Sequence, residues 1–347
     1  MSTAAVPGTG RPKVGVTVGD PAGIGPEIVV KAVADPGLHE QARILVFADR
    51  AVLEQALATL AMPLELNPGT VSGEGRFCPG VLDYVEAGIL SAPPVAGRVS
   101  AAGGRAGYGY LEQGIAAALA GAVDSLATAP LNKESLQAAG VPFIDHTAVL
   151  AARAAQDTPM TLFAVRDLRI FFLTRHLSLA QVPGAITGPG LLEAIPRCER
   201  YLEQLGIERP TVAVAALNPH GGEQGLFGRE EVEIIAPAIA QARQRGCRVV
   251  GPIPADAVFH QCLEGRYQGV LALYHDQGHI AAKTVDFHGT VSLTMGLAFL
   301  RTSVDHGTAF DIAGQGVADP RGMIAAIQAA ARYGSAVRAY PGRAADR

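Results

Sequence analysis

The chain has no CxxC pair, and its four cysteines, Cys78, Cys198, Cys247 and Cys262, show no even spacing. That pattern suggests neither a zinc knuckle nor a disulfide framework, and a reducing cytoplasm is the expected setting. An excess of one charge sign is also missing. The 28 Lys and Arg against 32 Asp and Glu leave a formal net charge of -4, which provides no electrostatic footprint for nucleic acid. No charge-free apolar run approaches the ~20 residues of a membrane span. The opening MSTAAVPGTGRP is small and polar, without the apolar stretch of a targeting segment. The sequence therefore predicts a soluble protein with a flexible tail over residues 1–12, and it shows no repeat of solenoid period.

What is present is an α/β alternation. With 347 residues, 49% of them hydrophobic, the chain has room for one large or two medium domains sharing a cleft. Short β-branched runs are predicted as strands at Val14–Val18, Ile44–Ala48, Ser125–Thr128, Thr161–Val165, Ile170–Thr174, Val212–Leu217 and Val270–Tyr274. Helical periodicity begins near Pro26 and returns over Ala51–Leu60, Leu191–Leu205, Glu230–Arg243 and Gly322–Arg332. Strands alternating with helices imply parallel pairing with crossover helices. In such sheets ligands collect beyond the carboxyl ends of strands. The polar segments TAPLNKE, LNPHGGEQGLFG and YHDQGH each follow a strand and are expected to be loops of one site.

The first motif is the turn GDPAGIGPE. Gly23 and Gly25 match two glycines of the dinucleotide fingerprint, but Ile28 fills the third position and no acid follows at ribose distance. It is not a Rossmann fingerprint. Taken alone, Pro26 behind two glycines is simply good helix-start chemistry.

Of the nine histidines, His176, His220 and His275 lie at strand ends, two of them near Glu223 and Asp276. A lone loop histidine is more often structural than a ligand. Three with neighbouring acids suit a divalent metal equally well, since carboxylates orient or supplement imidazole ligands. His39, His260, His279 and His288 are assigned to solvent or local hydrogen bonding. Lys283, Arg301, His146 and Thr147 offer cationic or donor groups to a phosphate. In DHGTAFDIAGQGVADP, Gly307, Gly314 and Gly316 allow close approach of a ligand, and Asp311 can accept from ribose hydroxyls.

GDPAGIGPE, TAPLNKE, DHTAVLA, NPHGGEQGLFGREE, GPIPAD, YHDQG and RTSVDHGTAFDIAG, in this order over nearly the whole chain, resemble the 4-hydroxythreonine-4-phosphate dehydrogenase (PdxA) family. The resemblance implies a two-domain isocitrate/isopropylmalate dehydrogenase-like α/β fold with the active site in the interdomain cleft. One domain would comprise residues 13–135 and 306–347; the other, 136–305, would carry the metal and dimer contacts. It implies a homodimer in which His176 and His220 of one subunit and His275 of its partner hold a divalent ion, zinc, cobalt, manganese or magnesium. Substrate contacts would come from His146, Thr147, Lys283, Ser292 and Arg301, with catalytic roles for Asp276, Asp256 and Lys283. NAD would lie along Asp305, Gly307, Asp311 and Gly314.

The implied chemistry is hydride transfer from a metal-polarised secondary alcohol to NAD, followed by loss of CO₂ from the keto acid. Asp276 and a metal-activated water both remain candidates for the base. Two departures stand out: Asp145 precedes His146 where the family has Gly, with Ala148 in place of Glu, and Ser292 replaces an Asn. NPHGGEQGLFG and YHDQGHIAAKT resemble the branch acting on 4-phospho-D-threonate or 4-phospho-D-erythronate, whereas the vitamin B6 branch more often reads NPHAGE and YHDQGLP. A metal-dependent hydrolase and a non-catalytic metabolite-binding homologue are the rivals. The hydrolase would have no use for the loop around Asp311.

Overall fold

The computed structural model describes residues 10–72 and 75–340; most of the predicted tail and residues 341–347 of the predicted first domain lie outside them. Twelve strands run in chain order as β1 (Lys13–Thr17), β2 (Arg43–Ala48), β3 (Glu65–Gly69), β4 (Val81–Glu86), β5 (Ser125–Thr128), β6 (Ala155–Val165), β7 (Leu168–Phe172), β8 (Val212–Ala215), β9 (Val249–Ile253), β10 (Gly269–Ala272), β11 (Val291–Leu297) and β12 (Leu300–Ser303). The chain forms two compact units. The first runs to Pro159 and resumes at Gly296; the second is Met160–Met295. These division points differ from the predicted 135/136 and 305/306. Helix Lys133–Ala138 packs on helix Ala101–Leu119 and β12 pairs with β5, so both stay with the first unit.

In the first unit the strand order is β3-β4-β2-β1-β5-β12, with every adjacent pair parallel. β1 and β5 are buried along their whole length, as expected for a sheet covered on both faces by crossover helices. Val16, Ile28, Phe47, Tyr110, Leu126 and Ile327 belong to its core. Two glycines set the closest approaches. A Cβ on Gly25 would lie 1.9 Å from the Val18 carbonyl oxygen, and one on Gly104 would lie 1.9 Å from that of Ser135. No side chain fits at either position.

In the second unit, β6 and β7 form an antiparallel pair, and β7-β10-β8-β9 continue in parallel. Phe163, Ile170, Phe172, Val258 and Val270 make its core. YHDQGH, predicted as a loop, is a helix start, as is the segment from His146 in the first unit. His146 opens helix His146–Ala154 and His275 opens helix His275–Val285. Their polar first turns hide the amphipathic pattern, which begins only with the residues that follow.

Candidate active site

In the first unit, Arg301 sits on β12 opposite Leu126 of β5. It is only 6% exposed, and its Nε and Nη2 donate to Thr128 Oγ1 at 3.0 and 2.7 Å. Burial pushes the guanidinium down to about 10, with Asp145 acting in the opposite sense, so it remains charged at neutral pH. Asp145 caps the neighbouring helix, its Oδ1 accepting from Ala148 N at 2.9 Å.

His146 follows at the first helical position. Burial, then the charge of Arg301, holds its imidazole well below the ordinary value, against a hydrogen bond with the Ala129 backbone. Its Nε2 is closed to solvent and has no hydrogen-bond partner. A neutral imidazole with an unused nitrogen, a buried cation and a helix N-terminus together form a receptor for an anion. Thr147 is half-buried in the same first turn.

The GDPAGIGPE turn is tied to the glycine-rich segment after β12. Gly314 N donates to Glu27 Oε1 at 2.6 Å, and Ile24 N to the Thr308 carbonyl at 3.0 Å. Glu27 is buried, yet its Oε2 has no partner. A small hollow adjoins this clasp, lined by Glu27, Val52, Gln55, Thr59, Pro94 and Gly314. Gly314 has a φ of +78°, which glycine adopts without strain. Asp311 and Gly307 are exposed, and Asp305 is half-buried. In the turn itself Asp20 is fully buried and accepts from Ala22 N at 2.9 Å; burial raises its carboxyl above the ordinary range.

In the second unit, His176 follows β7 and His275 follows β10, their ring centroids 6.1 Å apart. His275 Nδ1 is 2.6 Å from Asp276 Oδ1. A carboxylate on one ring nitrogen leaves the other to serve as a metal donor, the usual arrangement for a ligating histidine. Helical spacing of four puts His275, His279 and Lys283 along one side of the helix, and Lys283 Nζ lies 4.9 Å from the Phe287 ring centre.

His220 is on a loop with left-handed backbone at His220, Gly221, Gly222, Glu223 and Gln224. Consecutive non-glycine residues in that region cost energy and persist only where the surroundings impose them. Here Glu231, 2% exposed, accepts from Leu217 N, Asn218 N and Asn218 Nδ2 at 2.7 to 2.8 Å. Asp256 is exposed in the first turn of helix Ala255–Leu263, and Ser292 is half-buried on β11.

Among the described residues, no three His, Cys, Asp or Glu side chains of the single chain form a metal-binding group. The expected set draws His275 from a second subunit, an arrangement one chain does not contain. Of the histidines assigned to solvent or local bonding, His39 is buried with Nε2 2.8 Å from the Val33 carbonyl, and His279 stacks on His275. Thr128, Asn218, Glu231 and His279 were not singled out from the sequence as site residues. The i, i+4 spacing of His279 from His275 was the available signal.

The family described as "Pyridoxal phosphate biosynthetic protein PdxA" matches residues 40–330. A "Putative D-threonate 4-phosphate dehydrogenase" of Symbiobacterium thermophilum is 49% identical over 329 residues, 94% of this chain and 98% of that one. The protein of the same name from Clostridium botulinum strain Langeland is 45% identical over 324 residues, 93% and 97% of the two chains. The crystal structure of a 4-hydroxythreonine-4-phosphate dehydrogenase from Klebsiella pneumoniae superposes with a TM-score of 0.87 at 40% identity, covering 94% of this chain and 98% of that one.

Proposed function

The chain belongs to the PdxA family and is a dehydrogenase, and from that premise we propose that it oxidises and decarboxylates a 4-phosphorylated four-carbon hydroxy acid with NAD and a divalent metal. The substrate is 4-phospho-D-threonate or 4-phospho-D-erythronate, and the products are dihydroxyacetone phosphate and CO₂. The observation that carries this reading is the pairing of buried Arg301 with the unpartnered Nε2 of His146. A singly protonated phosphate satisfies both groups, because its oxygens accept from the guanidinium and its hydroxyl donates to the bare Nε2 of the neutral imidazole.

The remaining roles follow the chemistry of the side chains. Arg301, His146 and Thr147 bind the phosphate, and Lys283 and Ser292 contact the rest of the substrate. A divalent cation held by His176, His220 and the partner's His275 supplies Lewis acidity to the substrate hydroxyl and to the carbonyl oxygen that replaces it. Asp276 holds the His275 ring through Nδ1, and Asp276, Asp256 and Lys283 are the groups available to move the hydroxyl proton. NAD lies along Asp305, Gly307, Asp311 and Gly314. The open space beside Gly314 and the unpartnered Glu27 Oε2 support that assignment.

A homodimer is supported by Leu179, Leu226, Ile280 and Phe287, each at least 63% exposed and each within a dozen residues of a presumed metal ligand. Apolar side chains left so open suit burial against a second copy. Four free thiols fit a reducing cytoplasm. Among the described residues no helix is long and apolar enough to cross a membrane.

A second reading, 4-hydroxy-L-threonine-4-phosphate oxidation in pyridoxal phosphate biosynthesis, is favoured by the family description and by the name of the Klebsiella enzyme. Following NADH formation by chelated protein with each of the three phosphorylated acids, with and without restored metal, separates the two readings. Metal-dependent turnover of phosphothreonate or phosphoerythronate is expected. Turnover of the amino substrate alone favours the biosynthetic reading, and no turnover of any sinks both.

A further inference from the structure

The rings of His275 and His279 lie parallel, 3.5 Å between centroids and 10° between planes. They are neighbours on helix His275–Val285, one turn apart. His279 Nδ1 is 2.8 Å from the His275 carbonyl oxygen. A carbonyl only accepts, so this nitrogen carries the proton and the tautomer of His279 is fixed.

The far side of His279 is braced by apolar rings. Phe163 meets it edge-on at 4.3 Å and Phe172 at 4.6 Å, and both phenylalanines are nearly fully buried in the β6–β7 pair. The glycine before it lets the helix sit close against these strands. A Cβ on Gly278 would already lie 2.5 Å from the Phe172 ring and 2.8 Å from Ile170.

His275 is therefore restrained in two ways. Asp276 fixes one edge of the ring through Nδ1, but a single hydrogen bond from an exposed carboxylate still lets the ring rock about that contact. A stacked neighbour removes the rocking, because an aromatic face has few favourable offsets.

We propose that His279 is a positioning residue: braced by Phe163 and Phe172, it fixes the plane of the His275 imidazole and so the direction in which Nε2 presents its lone pair to a divalent cation. The inference rests on the reading of His275 as a metal ligand. The role needs a flat ring at position 279 and uses the ring of His279 as a wall, so phenylalanine should replace it in part.

The test uses the full-length protein, freed of metal, with the variants His279→Leu and His279→Phe. Position 279 is half-buried within a helix, where leucine is a good helix former, so the first variant is compatible with the fold. Two readouts are taken. Side-chain ¹⁵N–¹H spectra and line widths of the metal-free proteins report whether the His275 ring holds one orientation. Titration with Co²⁺, followed by visible absorption, reports affinity.

Both proteins are expected to keep the Nδ1 proton held by Asp276, with one sharp His275 signal in the wild type and an exchange-broadened one from a rocking ring in the leucine variant. Co²⁺ affinity should fall about tenfold in the leucine variant, the lower end for loss of a ligand-orienting neighbour, and stay within about threefold of wild type in the phenylalanine variant. An unchanged His275 signal in the leucine variant overturns the proposal, as does a phenylalanine variant equal to leucine in both readouts. If the wild type binds no Co²⁺, the metal reading fails, while the metal-free spectra still decide whether His279 positions His275.

Discussion

Arg301 directs both Nε and Nη2 at a single hydroxyl, Thr128 Oγ1. The threonine thereby sets the orientation of a charge that burial has cut off from water. Thr128→Val keeps the shape and removes the acceptor. The expected outcome in steady-state kinetics is a KM for the phosphorylated acid about 5- to 10-fold higher, with kcat little changed. Arg301→Ala should cost roughly 100-fold in kcat/KM, and Arg301→Lys should recover only part of it, because an ammonium lacks the planar fork.

His146 predicts a pH dependence of stability. Its folded pKa lies well below the ordinary value near 6.5, so as pH falls through 6.5 the unfolded chain takes up a proton that the folded chain does not. Stability must then drop with falling pH, by up to about 1.4 kcal/mol per pH unit from this group. His146→Gln should flatten that slope between about pH 6.5 and 5 in urea denaturation. Equal slopes in the two proteins would rule out this role for His146.

The loop carrying His220 depends on Glu231. Glu231→Ala would leave Leu217 N and Asn218 N without their acceptor, at about 1–3 kcal/mol for each, while Asn218 Nδ2 would keep only its bond to Glu230. We expect a loss of about 2 kcal/mol or more in unfolding free energy, together with weaker Co²⁺ binding. Gly222→Ala attacks the same loop from the other side: its φ is +79° and the new Cβ would meet Glu231 Oε2 at 2.8 Å. It should lower the urea midpoint by a comparable amount.

Glu27 holds Gly314 N, so Glu27→Ala should loosen the glycine-rich segment while leaving the anion receptor untouched. The KM for NAD is expected to rise about 5- to 20-fold, with the KM for the acid unchanged. Glu27→Gln keeps an acceptor oxygen and should stay near wild type. If both Michaelis constants rise together, the segment serves something other than the nucleotide.

The sequence showed the alternation of strands and helices well. The prediction for Ser125–Thr128 coincides with β5, and that for Ile44–Ala48 differs from β2 by one residue. β3, with the sequence ELNPG, was missed because proline and glycine argue against a strand. β12, LRTS, was missed because an arginine and two hydroxyls conceal a fully buried strand. Candidate residues could be singled out where a side chain announces its chemistry. Contacts that depend on a distant partner gave no such signal. Reading YHDQGH as a loop removed the helical spacing that puts His279 over His275, and nothing local in LNPHGGEQGLFG shows that a glutamate beyond it, Glu231, holds the loop in shape.

The approaches at Gly25 and Gly104, each with no room for a Cβ before a backbone oxygen, bear on how relatives of this chain should be recognised. These glycines answer to geometry: a descendant that had lost catalysis but kept its fold would still be obliged to retain them. Gly25, within the most quotable stretch of the chain, is therefore a signature of ancestry and says little about whether a given member is still an enzyme. On the function proposed above, a census meant to count working dehydrogenases should be keyed to Arg301, His146 and the three histidines, where substitution is expected to remove the reaction.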